Sequence, residues 1–142
     1  MAKASISEVF NAPIKKVYSV ITDYSKYPEF LTDVKRISLI DDSNPKAKLV
    51  EYELSLIRTF RYQVILSEEP YHRVSWKFHS GDIFKDNSGS WVLKEISPEQ
   101  TQIEYSLDVE FGLFVPGMIT KKLVEVSLPS MIKSFKQRVE SL

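Results

Sequence analysis

Between Val50 and Phe111, apolar and polar residues exchange places at nearly every step. A side-chain period of two belongs to a β-strand with one buried and one wetted face. The stretch therefore restricts the chain to an antiparallel sheet that covers its core with one face only. Four segments carry the pattern. Val50, Tyr52, Leu54 and Leu56 oppose Glu51, Glu53 and Ser55, while Tyr62, Val64 and Leu66 oppose Arg61, Gln63 and Ser67, with Ile65 as the exception. Val74, Trp76 and Phe78 oppose Arg73, Ser75, Lys77 and His79, and Ile103, Tyr105, Leu107, Val109 and Phe111 oppose Gln102, Glu104, Ser106, Asp108 and Glu110. A shorter strand, Ser90 to Ile96, is expected to point Trp91 and Leu93 inward. Breaks are expected at Asp41–Pro45, Glu68–Pro70, Gly81–Gly89 and Ser97–Gln100, all rich in turn formers. With Ser5–Phe10 as an edge strand and Lys35–Ile40 added, about seven strands result.

Helical spacing appears at both ends. After Asn11-Ala12-Pro13, residues Ile14, Val17, Tyr18 and Ile21 follow the spacing of one helix face, and Asp23–Leu31 reads as a second short helix or tight turn around Pro28. Past Pro116-Gly117 the chain reads as one helix of about 25 residues, roughly 37 Å long. Its expected apolar stripe is Ile119, Leu123, Val126, Met131, Phe135, Val139 and Leu142, interrupted by Ser127, Ser130 and Ser134. Pro129 removes a helical hydrogen bond to the Glu125 carbonyl and is expected to bend or break the helix there. A bent helix over a twisted sheet packs imperfectly, so a gap is expected between them.

Size and composition exclude several functions. A chain of 142 residues suits one domain, 1–142, and buries roughly 70% of the surface its unfolded form exposes. With no cysteine, disulfides, thiolate catalysis and thiolate metal sites are excluded, which fits a reducing, cytoplasmic setting. The opening Met1–Glu8 carries no apolar run, and no stretch approaches the length of a membrane span. Nineteen basic residues balance 19 acidic ones, so no strong field draws the chain to nucleic acid. The segment from Leu113 onward is nevertheless basic through Lys121, Lys122, Lys133, Lys136 and Arg138, against Glu125 and Glu140. His72 and His79 fall in a turn and on a polar strand face, and four scattered glycines build no phosphate cradle. No catalytic constellation, metal site or cofactor is expected.

Phe10-Asn11-Ala12-Pro13, then Val17-Tyr18 and Asp23-Tyr24-Ser25-Lys26-Tyr27-Pro28-Glu29-Phe30-Leu31, resemble the opening of START-like polyketide cyclase/dehydrase and coenzyme-Q-binding proteins. Val74-Ser75-Trp76, Gly81, Gly89-Ser90-Trp91-Val92-Leu93, Thr101–Tyr105 and the closing Met131–Lys136 agree with it. At Thr32-Asp33 the chain departs from the coenzyme-Q-binding branch, which has proline and an aromatic there. The resemblance implies an α+β helix-grip fold: a roughly seven-stranded antiparallel sheet wraps a long C-terminal helix, and two short helices follow the first strand. It also implies an internal cavity for lipids, isoprenoid quinones or polyketides.

The inward positions nominate the lining of such a cavity: Tyr52, Leu54, Tyr62, Val64, Trp76, Phe78, Trp91, Leu93, Tyr105 and Leu107 from the sheet, with Leu123, Ser127 and Met131 from the helix. Phe30, Leu31, Phe114 and Met118 are candidates for its mouth. Tyrosine and tryptophan offer apolar bodies with one polar tip each, the make-up of a small-molecule site. The leading expectation is non-catalytic binding of a hydrophobic small molecule, as carrier or chaperone. One alternative is a polyketide cyclase- or dehydratase-type enzyme using a tyrosine or Asp82 as acid or base. Another, implied by the resemblance together with the basic tail, is a protein-partner module acting on a ribosome or membrane complex.

Overall fold

The computed structural model describes residues 2–55, 58–112 and 115–142. The inward placement expected for Leu56 and the mouth position expected for Phe114 lie outside the described residues.

Seven strands form one antiparallel sheet: β1 (Ala2–Phe10), β2 (Val34–Asp41), β3 (Lys48–Ser55), β4 (Thr59–Glu69), β5 (Arg73–Gly81), β6 (Phe84–Ser97) and β7 (Gln100–Phe111). Their order is β1-β7-β6-β5-β4-β3-β2, so the first strand pairs with the last and the other neighbours are consecutive in sequence. The alternation read from the sequence is the alternation of burial: Val50, Leu54, Val64, Leu66, Val74, Ile103, Tyr105, Leu107 and Val109 are all buried. Pairing irregularities in β2, β5 and β6 add curvature, as an extra residue in one strand sharpens its twist.

On the outer face Glu53 departs from the expected wetted pattern, being only 6% exposed. Lys35, Arg36 and Arg61 surround its carboxylate, with Arg61 Nε at 2.9 Å. The Arg61 hydrogen bond, ahead of Arg36, holds the Glu53 carboxyl below its usual range.

β6 corrects a second expectation. Gly81–Gly89 is not a break followed by a short strand, because β6 begins at Phe84 and runs 14 residues. Tertiary contacts override the turn propensity of Asp86–Gly89. Asn87 is buried and accepts a hydrogen bond from Trp76 Nε1 at 3.1 Å, and a Cβ on Gly89 would collide with the Trp76 ring and the Ser106 carbonyl. β5 and β6 pair only from Arg73↔Val92 to Trp76↔Gly89. Beyond that point the two strands go separate ways, β5 with β4 and β6 with β7.

Between β1 and β2 lie α1 (Ile14–Ile21) and a 3-10 helix (Tyr24–Glu29). α1 buries Val17, Val20 and Ile21, with Ile14 and Tyr18 half-buried. The 3-10 helix buries Tyr24 and Tyr27.

The C-terminal helix is continuous through α2 (Gly117–Lys121), a π-helical stretch (Lys122–Ser127) and α3 (Leu128–Ser141). Pro129 therefore does not break it. The disturbance falls in the preceding turn, where i→i+5 bonding relieves the register that a proline cannot complete. The buried stripe is also corrected: Val126 and Leu142 are 58% and 63% exposed, while Ser127, Leu128 and Ile132 are buried. Ile119, Leu123, Ser127, Met131, Phe135 and Val139 lie four apart, and in an α-helix each such step overshoots a turn by about 40°. The wider π turn takes back part of that drift and keeps the stripe facing the sheet.

Candidate functional site

Between the concave face of the sheet and the C-terminal helix lies a pocket of about 120 Å³. Every layer of the fold contributes to it. The 3-10 helix gives Tyr24 and Tyr27, the following loop Leu31, Thr32 and Asp33, and β2 Val34. Strands β3 to β7 give Tyr52, Leu54, Tyr62, Val64, Leu66, Val74, Trp76, Phe84, Asn87, Trp91, Tyr105 and Leu107. The helix gives Leu123, Ser127, Leu128, Ser130, Met131, Ser134 and Phe135.

Strand register explains the aromatic walls. Tyr52 and Tyr62 are opposite one another in the β3–β4 ladder, and their rings stack at 5.2 Å. Trp91 and Tyr105 are opposite in the β6–β7 ladder and meet edge-on at 4.8 Å. Cross-strand aromatic pairs of this kind hold each other's rotamers. Trp91 also meets Phe135 of the helix at 4.9 Å, and Tyr27 meets Phe135 at 5.1 Å, so this cluster closes one end of the pocket.

The polar groups divide into paired and unpaired. Tyr24 donates to Glu68 at 2.6 Å, Glu68 in turn pairs with Lys48 at 2.9 Å, and the Tyr27 hydroxyl donates to the Ile21 carbonyl. These two tyrosines are structural ties. The hydroxyls of Tyr52, Tyr62 and Tyr105 make no hydrogen bond with a described residue. Ser127 Oγ is buried without a partner among the described residues, an arrangement that a folded core rarely tolerates. Burial raises Tyr52, Tyr62 and Tyr105 well above the ordinary phenol value, which keeps all three hydroxyls protonated donors near neutral pH.

Most of the residues nominated from sequence line this pocket: Tyr52, Leu54, Tyr62, Val64, Trp76, Trp91, Tyr105, Leu107, Leu123, Ser127, Met131 and Leu31. Four lie elsewhere. Phe78 is half-buried against Phe84 where β5 and β6 separate, and Leu93 packs in the closed core opposite Ile103. Phe30 packs edge-on against Tyr27 and Phe135 under the Arg138 guanidinium, and Met118 is 64% exposed at the start of α2. Asp82 is also away from the pocket, exposed and accepting the Arg61 N–H at 3.0 Å. Sequence reasoning passed over Asn87, hidden in a run of turn formers, and Thr32 and Asp33, where only the departure from the coenzyme-Q pattern pointed. Tyr24, Tyr27 and Phe135 stood in the motifs that carried the resemblance. His72 and His79 are exposed, and no group of three or more metal-ligating side chains occurs among the described residues.

Solved structures share this architecture over nearly the whole chain. A START superfamily protein from Mycobacterium smegmatis superposes with a TM-score of 0.84 at 21% identity, covering 98% of this chain and 97% of that one. The Zhui aromatase/cyclase from Streptomyces gives 0.86 at 12% identity, covering 98% and 93%. A protein from Thermus thermophilus gives 0.83 at 18% identity, covering 99% and 98%. At these identities the likeness is one of fold, and it is the START-like helix-grip fold. Among the described residues no helix is long and apolar enough to cross a membrane. Among curated proteins no relative matches by sequence. The family described as polyketide cyclase / dehydrase and lipid transport matches residues 10–136, and the chain belongs to that family.

Proposed function

We propose that the chain binds a hydrophobic small molecule, of the lipid, isoprenoid quinone or polyketide kind, in the pocket under the C-terminal helix, as a carrier or chaperone. The observation that carries this reading is a pocket walled mainly by aromatic and aliphatic side chains, with the unpaired hydroxyls of Tyr52, Tyr62 and Tyr105 among its few polar groups. Apolar walls with a few convergent polar groups are the usual composition of a small-molecule site. A guest that buries about 200 Å² of apolar surface gains roughly 5 kcal/mol before the costs of association. Each donor it satisfies removes a desolvation penalty that the empty site carries.

Incubating the protein with a lipid extract and recording its native mass tests the proposal. The expected result is a retained guest at one per chain. Recovery of nothing above buffer controls counts against it.

A second reading, a cyclase- or dehydratase-type enzyme, draws on the protonated tyrosine hydroxyls as acids and on Asp33 as the carboxylate at the pocket. Tyr52→Phe and Tyr105→Phe separate the two readings, since only an enzyme has turnover to lose. The protein-partner reading has less support. Of the basic tail, Lys136 is engaged by the Val9 carbonyl and Glu140, and Arg138 by Glu29.

A further inference from the structure

The pocket walls carry almost no charge. Asp33 is the one carboxylate among the described lining residues, and no lysine, arginine or histidine joins it. Several cations on the adjoining elements are held elsewhere: Arg61 by Glu53, Lys48 by Glu68, Arg58 over the Phe60 ring and Arg138 by Glu29. An anionic guest would give up its hydration with no cation to replace it, and Asp33 would repel it.

What the walls do offer is neutral donors and flat faces. Tyr52, Tyr62 and Tyr105 carry hydroxyls, and Asn87, whose Oδ1 is taken by Trp76, keeps its amide N–H groups to give. The stacked Tyr52–Tyr62 pair and the Trp76 and Trp91 rings suit a planar molecule that carries an acceptor oxygen. At about 10–15 Å³ for each water-sized occupant, the space seats on the order of ten non-hydrogen atoms.

Resting on the binding reading above, we infer that the pocket selects uncharged, planar, oxygen-bearing ring compounds of about two fused rings and rejects the corresponding carboxylates. A longer molecule would lodge such a ring at this position and run its remainder out past Leu31 and Thr32.

Four probes of one shape test the inference: β-naphthol, naphthalene, β-naphthoate and its methyl ester, followed by quenching of Trp76 and Trp91. At neutral pH β-naphthol is expected to bind roughly tenfold or more tighter than naphthalene or β-naphthoate, and the ester, which removes only the charge, to regain affinity. Tyr52→Phe and Tyr105→Phe are expected to weaken β-naphthol several-fold while leaving naphthalene unchanged, a pattern that general loosening of the pocket would not produce. β-Naphthoate binding as tightly as β-naphthol, or β-naphthol binding no tighter than naphthalene, overturns the selectivity and leaves hydrophobic binding standing. Absence of binding by all four probes overturns the binding reading along with it.

Discussion

The two halves of the C-terminal helix meet the same sheet in opposite ways. The distal half of α3 packs against α1 and β1, and the core there is closed: Phe10, Val17, Ile21, Ile103, Phe135 and Val139 are all 0–1% exposed. The proximal half, with its π turn and Ser127, Ser130 and Ser134, faces the pocket. The contrast teaches that the space is produced locally. Small hydroxyl side chains and a widened turn stand where the distal end places Val139 in a closed core, with Phe135 at the boundary between the two.

Truncations break that comparison most sharply. Phe10→Ala, in the closed region, is expected to cost about 3–5 kcal/mol in urea unfolding, because a dense core cannot collapse around the hole. Leu123→Ala, on the pocket wall, is expected to cost about 1–2 kcal/mol, because one side of that residue already faces open space. Equal losses would mean that the two halves are packed alike.

A smaller effect is expected from Pro129→Ala. Restoring the backbone donor allows ordinary α bonding through Lys122–Ser127, so amide exchange there should slow while exchange in the second half of α3 stays as it was. Unchanged exchange would show that the π turn is held by packing on the sheet and not by the proline.

The smallest effect concerns the outer face. Because Glu53 titrates below its ordinary value of 4.5 in the folded chain, its contribution is complete above that value and is lost as pH falls through the lowered one. Glu53→Gln should therefore flatten the acid limb of the stability curve by lowering its neutral plateau a little, the two proteins converging in acid where Glu53 is protonated. A loss of the same size at neutral and at acid pH would contradict the assignment.

The sheet was legible from sequence because alternation follows from strand geometry alone. Where it failed, contacts distant in sequence decided. Asp86–Gly89 reads as turn, yet Trp76 needs Asn87 as a hydrogen-bond partner and Gly89 as a surface, and neither need is visible locally. The helix stripe was half legible. Leu123, Phe135 and Val139 follow from spacing, whereas Val126 was misplaced because a π turn shifts the face without leaving a signature in composition. About half of the pocket-lining residues are among the inward positions nominated from sequence, but inwardness does not separate a residue that meets space, such as Leu107, from one that meets a neighbour, such as Leu93.

The most direct measurement compares the guest retained by the native chain and by Ser127→Leu in native mass spectrometry. If the space under the proximal helix is the binding site, a leucine there fills it. The native chain then keeps one guest that the variant loses, with folding stability unchanged or slightly raised. Equal retention by both proteins, or by neither, would contradict the account.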